Sequence, residues 1–223
     1  ETAASAAAVL PGVSPALTNF VKYDARVRLI ATGGTVSVTS SSISVTNAND
    51  VVLLLGVTSN VTNYDKLDQN TNYPTICSNN VAAAAALGFA ALRQAQTNDY
   101  ENLFNRVVLD LGGNSQTNAE MGSRKRQMSV DGKDPQLVAL DFQLGRYLMI
   151  SGSRPGSQAL NLQGKWNNST APSWDGKMTL NINEEMNYWG AEVCNLSECT
   201  LPLFDMMQDL TVTGHKIATN TYF

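Results

Sequence analysis

The chain has 223 residues, of which 43% are hydrophobic and 15% are charged, so it can bury a core and form one or two domains. Its net charge of −4 and its sequence pI near 4.9 argue against nucleic acid and anionic membrane surfaces as partners. No apolar run reaches the roughly 20 residues that span a bilayer, and the first residues lack the basic start and apolar core of a signal peptide, so we expect any export signal upstream.

The first quarter of the chain predicts an antiparallel β meander. Its segments alternate polar and apolar residues or run apolar, and turns rich in Gly, Ser, Asn and Asp separate them. The four predicted strands are Arg26–Ile30, Thr35–Thr39, Ser42–Thr46 and Val51–Leu55.

The next part of the chain predicts a helical linker. Residues 58–80 are rich in Asn and Thr and predict a loop, whereas the Ala-rich segment Val81–Arg93 is helical by propensity. A second, short helix is predicted near Asp99–Phe104.

The last part predicts helices around one long loop. Asp134 as N-cap and Pro135 as the first helical residue begin a long helix, and further helices are expected at about 183–194 and 201–217. The long helix that begins at Pro135 has two apolar stripes, which predict that it is buried on both sides. Its stripes are Leu137, Leu140, Leu144 and Leu148, and Val138, Phe142 and Met149. The loop over residues 152–181 is long enough to indicate a function.

Cysteine and histidine exclude two kinds of chemistry. Three cysteines without CxxC spacing and a single histidine, His215, do not indicate a zinc site or a Ser-His-Asp triad, and we expect no cofactor. In a continuous helix Cys194 and Cys199 would lie about 140° apart and about 7.5 Å along the axis, unsuited to a disulfide, whereas a break at Asn195–Ser197 could bring them together. Sequons that permit N-glycosylation of a secreted protein occur at Asn60, Asn167, Asn168 and Asn195.

Three segments between residues 161 and 189 concentrate amides, indoles and carboxylates where a core would place aliphatic residues. They are Asn161–Asn167, Trp174–Gly176 and Leu180–Trp189. Aromatic faces pack on the apolar side of a pyranose, and amides and carboxylates hydrogen-bond its hydroxyls. Because a buried amide left unpaired costs roughly 1–3 kcal/mol, the composition favours a sugar site over a structural role.

Long motifs in this region resemble glycoside hydrolase family 95. The motifs are Gly145–Gly156, Asn161–Asn167 and Asn181–Glu198; the similarity is densest over residues 134–205 and colinear from about residue 20. The resemblance implies an inverting α-L-fucosidase or related α-L-galactosidase that acts on glycans with terminal α-L-fucose or α-L-galactose. It also implies an N-terminal β-sandwich, a helical linker, an (α/α)6 barrel and a C-terminal β domain.

A barrel of about twelve helices of roughly 10–14 residues needs more chain than follows residue 134. We therefore expect an α+β multidomain fragment of a longer, secreted enzyme, whose missing remainder would be a partner. Residues 1–62 are predicted to end the β-sandwich, residues 63–130 to form the linker, and residues 131–223 to begin the barrel.

Asn181 and Asn183 match the family's Asn-x-Asn pair, whose carboxamides are understood to hold the water that attacks the anomeric carbon. An amide is not a base, so an anionic group must activate that water. The resemblance implies that this carboxylate and the general acid lie beyond Phe223, and we expect the chain alone to be inactive. The alternative is that the two asparagines cap the following helix.

Other residues of these motifs are candidates for substrate binding. Glu184 and Glu185 point about 100° apart on a helix, cannot readily flank one glycosidic bond, and are interpreted as helix-start charges. The substrate-binding candidates are Trp174, Trp189, Glu192, Asn161, Gln163 and Thr179. Several candidates have a structural alternative. Trp166, Trp174 and Trp189 could be core residues, which is the better expectation for a lone Trp, and Trp174 is the best of them for the site. The amides of Asn161 and Gln163 could equally anchor the loop. Glu185 or Glu192 could instead pair with an arginine such as Arg146 or Arg154.

Thr179 is a departure from the family pattern. Fucose-preferring members commonly carry His two residues before the first asparagine, near the C5 substituent of the sugar. Thr179 would lie on the same side of an extended segment as Asn181 and leave room for the extra hydroxyl of L-galactose.

Two other classes of function fit the same features. One is a noncatalytic carbohydrate-binding fragment, and the other is a different (α/α)6 family, such as a phosphorylase that uses inorganic phosphate.

Overall fold

The computed structural model describes residues 2–6, 21–62 and 71–222, which form two compact units that meet in sequence at Gln96 and Thr97. The strands are β1 Thr2–Ala6, β2 Tyr23–Thr32, β3 Thr35–Val38, β4 Ile43–Thr46 and β5 Asp50–Ser59. The helices are α1 Tyr73–Leu87, α2 Phe89–Phe104, α3 Met121–Asp131, α4 Pro135–Gly152, α5 Asn183–Val193 and α6 Leu201–Tyr222, with short 3₁₀ helices at Ser173–Gly176 and Ser197–Thr200. Within these ranges no single helix is long and apolar enough to cross a membrane; α1 and α2 reach that length and apolarity only together, across a bend.

The first unit contains two antiparallel sheets. The four predicted strands are present, but their pairing is not a simple meander: β2 pairs with β1 and β5, while β3 and β4 form a separate hairpin. The β2–β5 ladder runs from Tyr23 opposite Ser59 to Thr32 opposite Asp50. The departure begins at Gly33 and Gly34, whose positive φ angles of 72° and 73° turn the chain out of β2 into the hairpin.

Helix α1 packs on one face of β5 and begins earlier than predicted. Cys77 and Val81 are buried, and a Cβ added to Gly56 of β5 would lie 2.5 Å from a methyl carbon of Val81. This contact compensates for the poor helix propensity of the Asn-, Thr- and Ser-rich segment before residue 81. The prediction of a loop over residues 58–80 is therefore wrong at both ends, because β5 continues to Ser59 and α1 begins at Tyr73. Residues 63–70 of this predicted loop lie outside the described part of the chain. The predicted helix Val81–Arg93 is interrupted at Gly88.

The second unit buries a core formed mainly by α4, α5 and the segments that follow them. Its members are Leu103, Met149, Ile150, Ala159, Leu160, Tyr188, Ala191, Leu196 and Cys199. Helix α4 begins as predicted, with the Asp134 carboxylate accepting a hydrogen bond of 3.0 Å from the Leu137 amide. The prediction that both sides of α4 are buried is wrong for this chain, because Leu140 and Leu144 remain 45% and 49% exposed.

Helix α3 was not predicted, because its sequence is polar and carries no apolar period. Two contacts hold it. Glu120 accepts hydrogen bonds from the Gly122 and Ser123 amides at 2.8 and 3.0 Å, and these bonds lower the pKa of its carboxyl. Arg124 donates two bonds of 2.9 Å to the buried Asp134 carboxylate.

Arg146 fixes α4 against the end of α2. Its guanidinium is 2% exposed and donates to the main-chain oxygens of Phe104 at 2.7 Å and Leu103 at 2.9 Å. A third bond of 2.9 Å goes to the side-chain oxygen of Gln143. The last carbonyls of a helix have no partner within it, so one side chain here satisfies the end of another helix.

Candidate functional site

The turn over Leu180–Ile182 leads directly into α5 and has an unusual backbone. Asn181 and Ile182 have positive φ angles of 73° and 90°. For a β-branched residue such as Ile182 this conformation is a true outlier, and backbone strain of this kind costs of order 1–3 kcal/mol. Strained residues persist only where the surrounding structure holds them.

The first turn of α5 supplies that restraint. The Ile182 amide donates to the Glu185 carboxylate at 2.5 Å, and the Glu184 amide donates to the main-chain oxygen of Thr179 at 3.1 Å. Glu185 therefore acts as half of a capping box; Ile182 has no side-chain acceptor to supply the other half. The interpretation of Glu185 as a helix-start residue agrees with this geometry.

Asn181 and Asn183 are both exposed, and in the described chain neither carboxamide has a hydrogen-bond partner. Ile182 occupies the N-cap position, Asn183 is the first helical residue, and the helix has no side-chain cap from either asparagine. The alternative that these residues cap α5 therefore does not describe the structure. Both amides are available to a ligand.

Glu184 is not an exposed helix-start charge. Its side chain is 1% exposed, and neither carboxyl oxygen has a hydrogen-bond partner within the described residues. Burial, with a smaller effect of the neighbouring Glu185 charge, raises the pKa of Glu184 to about 7. The sequence did carry a signal: Glu184, Tyr188 and Ala191 are spaced by four and three residues, as on one helical face, and all three are buried.

A buried polar network below the turn joins α4, α5 and the segment after α4. The Ser153 hydroxyl donates to the main-chain oxygen of Cys199 and accepts from the Tyr188 hydroxyl, both at 2.8 Å. The Tyr188 hydroxyl in turn accepts from the Leu160 amide at 3.0 Å, and burial is the main cause that raises its pKa. The network fixes α5 relative to the loop that follows Leu160.

Asn161 and Gln163 act as loop anchors in this structure. The Gln163 amide nitrogen donates to the Ser173 carbonyl at 2.9 Å, and the Asn161 side chain accepts from the Gln163 main chain at 2.9 Å. Asn187 of α5 donates to the Asn161 carbonyl at 3.3 Å. Of the two interpretations that the sequence left equal, the hydrogen bonds support anchoring.

The tryptophans lie on the surface of the second unit rather than in its core. Trp174 is 82% exposed and has a positive φ of 57°, and Trp189 is 62% exposed. Trp166 stacks on Tyr147, with ring centroids 6.2 Å apart and planes inclined by 22°. The exposed indoles can contact a sugar face.

The structure does not bring every candidate to the asparagines. Nine residues of helix place Glu192 about 180° around α5 from Asn183 and roughly 13 Å along the axis. Its carboxylate accepts from the Thr200 hydroxyl at 3.2 Å. The alternative that Glu185 or Glu192 pairs with Arg146 or Arg154 does not describe the structure, since Arg154 pairs with Asp99 at 2.6 Å and Arg146 binds main-chain oxygens at the end of α2. Trp189 lies about 120° around the helix from Asn183 by the same count.

Thr179 is half-buried next to the start of α5, where its carbonyl accepts from Glu184. The premise of an extended segment from Thr179 to Asn181 is wrong, because the turn begins at Leu180. The positive φ at Asn181 replaces the alternation on which that premise relied.

The chain does break after α5, at Asn195 with a φ of 56°, but Cys194 and Cys199 are free thiols. Of the two possibilities that the sequence left open for these cysteines, the structure has the unbridged one, because Cys199 is enclosed in the core while the Cys194 sulfur lies back over Gly190. Asn60 is fully buried and accepts from the Lys22 amide at 2.7 Å, so it is not available for glycosylation in this fold. The other sequon asparagines, Asn167, Asn168 and Asn195, are exposed.

Comparison with known proteins places the chain in a family. Residues 88–223 match the family model described as the glycosyl hydrolase family 95 catalytic domain. Alpha-L-fucosidase 2 of Arabidopsis thaliana is 40% identical over 204 residues, covering 86% of this chain and 24% of that protein. A Probable alpha-fucosidase A of Aspergillus niger is 32% identical over 204 residues, covering 84% of this chain and 25% of the relative. The chain thus spans about a quarter of the length of these curated relatives, and it belongs to glycoside hydrolase family 95.

Proposed function

We propose that this chain supplies the water-positioning part of an inverting glycosidase site that removes terminal α-L-fucosyl or α-L-galactosyl residues from glycans. The observation that carries the proposal is the pair of exposed, unpaired carboxamides of Asn181 and Asn183 on a strained turn. Two carboxamide oxygens can accept the protons of one water and fix the direction of its lone pair. The names of the matched relatives support α-L-fucosidase chemistry.

Inversion also needs a general acid and a carboxylate that activates the water, usually about 6.5–9.5 Å apart. The carboxylates of α5 do not fit these roles: Glu184 is buried, Glu185 holds the Ile182 amide, and Glu192 lies on the far side of the helix. Both groups would come from another part of the catalytic domain. The chain by itself is therefore expected to be inactive.

The surroundings of the turn support sugar binding. Trp174 and Trp189 offer open ring faces to the apolar side of a pyranose. Thr179 is proposed to set the space at the C5 substituent because its main chain bonds the first turn of α5 next to the asparagines, a closeness that does not depend on an extended segment. The exposed leucines of α4 are consistent with residues 131–223 forming the first helices of an (α/α)6 barrel, and a secreted glycoprotein remains the proposed setting.

The test is a chimera in which this chain replaces the matching segment of the Arabidopsis relative. Asn181→Ala and Asn183→Ala should each lower kcat by about 100-fold or more on an aryl α-L-fucoside, because orienting the water matters mainly in the transition state. KM should change little. Asn168→Ala, at an exposed asparagine outside the turn, is the matched control and should stay near the parent value.

Two results would contradict the proposal. If both asparagine variants stay within a few-fold of the parent chimera, the turn does not hold the catalytic water. If the isolated 223-residue chain turns over the fucoside at the rate of the chimera, the missing carboxylates are not needed.

The exposure of Trp174 and Trp189 also favours a second candidate, a carbohydrate-binding role without hydrolysis. Titration of the isolated chain with L-fucose, followed by tryptophan fluorescence, tests it. Saturable binding that Trp174→Ala abolishes, together with a chimera that lacks turnover, would favour binding over catalysis.

A further inference from the structure

Glu184 is a buried carboxyl that the proposed hydrolysis does not use. Its side chain is 1% exposed, and both of its oxygens lack a hydrogen-bond partner within the described residues. Transfer of a carboxylate out of water is costly, whereas the neutral acid is tolerated. The Glu184 site therefore suits the protonated form and disfavours the anion.

The ionisable groups around Glu184 do not compensate a negative charge. On its own helix, Glu185 adds a second negative charge and Tyr188 lies one turn further along the same face. From the 3₁₀ helix packed against α5, the Cys199 thiol faces Tyr188.

None of the cations of the neighbouring segments is among the causes that shift the pKa of Glu184, and this includes Lys165, whose own pKa is lowered by burial. Four other cations have their own acceptors: Arg146 binds main-chain oxygens at the end of α2, and the other three pair with carboxylates. Those pairs are Arg106 with Glu198, Arg154 with Asp99, and Lys177 with Asp175. In this part of the described chain, Glu184 therefore has no cation as a partner.

The position of Glu184 couples it mechanically to the turn. It follows Asn183 directly, and its amide closes the turn by donating to the Thr179 oxygen at 3.1 Å. The next hydrogen bond of the first helical turn runs from the Met186 amide to the Ile182 oxygen at 2.8 Å. A movement of the Glu184 side chain toward water would therefore displace Asn183 and open the turn that carries Asn181.

We propose that Glu184 is a positioning residue: as a buried neutral acid it keeps the first turn of α5 closed and fixes the Asn181 and Asn183 carboxamides, and its ionisation releases them. The raised pKa of about 7 places this release in the neutral range. The catalytic meaning rests on the proposed function of the two asparagines, but the closing of the turn does not. The experiment therefore reads the turn itself rather than turnover.

The test measures amide hydrogen exchange in the 223-residue chain at pH 6 and pH 8, after correction for intrinsic exchange rates. In the parent chain, protection of the amides of residues 184 and 186 should fall by about tenfold from pH 6 to pH 8. This is the change expected if the pKa of Glu184 is about 7 when the turn is closed and about 4.5 when the turn is open. In Glu184→Gln the same amides should keep their protection. The Ser153 amide, which donates to Met149 at the end of α4, should stay unchanged in both proteins.

Two further variants complete the test. Glu184→Met removes the ionisable group and fills the space with an apolar chain, so it should also keep the turn protected at pH 8. Glu192→Gln makes the same charge change at an exposed position of α5 and should retain the parent pH dependence. The proposal is overturned if the turn amides of Glu184→Gln lose protection in parallel with those of the parent chain. It is also overturned if protection of the Ser153 amide falls together with that of the turn amides, which would indicate general unfolding.

Discussion

Arg146 offers a sharp test of how the site is supported, because one side chain satisfies the end of α2 from within α4. Its guanidinium is 2% exposed and binds the oxygens of Phe104, Leu103 and Gln143 at 2.7–2.9 Å. Its carbon Cζ also lies 5.4 Å from the Phe104 ring centroid. Arg146→Ala would leave the Phe104 and Gln143 oxygens unpaired, leave the Leu103 oxygen only a long bond of 3.4 Å from the Arg106 amide, and open a cavity.

The magnitude follows from the acceptors. Each buried acceptor that loses its partner costs about 1–3 kcal/mol, so Arg146→Ala should lower the free energy of unfolding by about 3–5 kcal/mol. Arg146→Lys keeps the charge but loses the planar set of guanidinium donors, so its free energy of unfolding should fall by roughly half as much. Arg126→Ala, at an exposed arginine of α3, should change stability by about 0.5 kcal/mol or less.

Urea unfolding followed by tryptophan fluorescence measures this effect selectively, because Trp166, Trp174 and Trp189 all lie in the second unit. The midpoint should shift while the slope stays constant. The carbonyl contacts do not stabilise this unit as argued if the free energy of unfolding of Arg146→Ala lies within about 1 kcal/mol of that of the parent chain. The same holds if the free energy of unfolding of Arg146→Lys is indistinguishable from that of the parent chain.

Two further predictions concern Thr179 and the buried ion pair. In the chimera, Thr179→His should shift the ratio of kcat/KM values toward α-L-fucoside over α-L-galactoside by about tenfold or more, and an unchanged ratio would remove Thr179 from the subsite. The hydrogen bonds from Arg124 are the first cause that lowers the pKa of Asp134, so its contribution to stability is present above the unfolded pKa near 3.8 and is lost as the pH falls through the lower folded value. Asp134→Asn should therefore flatten the decline of the urea midpoint between pH 5 and pH 2, whereas Asp205→Asn, at an exposed carboxylate, should leave it intact.

The sequence predicted those features whose cause is local. Alternation with a period of two located the four strands of the first unit, and Asp134 followed by Pro135 located the start of α4. The helices expected near residues 183 and 201 begin where the structure has them. The motif around Asn181 and Asn183 also marked the turn that the structure shows to be strained and exposed.

Features that depend on contacts between distant segments were not predicted. Helix α3 has no apolar period, and it is held by an ion pair with a residue that opens another helix. The start of α1 at Tyr73 depends on packing against β5, which overrides the weak helix propensity of that segment.

The candidate site shows the same division between sequence and tertiary structure. Residue types and spacing determined which side chains could bind a sugar, because amides and indoles carry that chemistry wherever they are placed. Only the tertiary structure decided that Asn161 anchors a loop, that Glu192 accepts from Thr200 and that Glu184 is buried without a partner among the described residues. The physical reason is that exposure, hydrogen-bond partners and the pKa of a carboxyl are set by neighbours that folding brings from elsewhere in the chain.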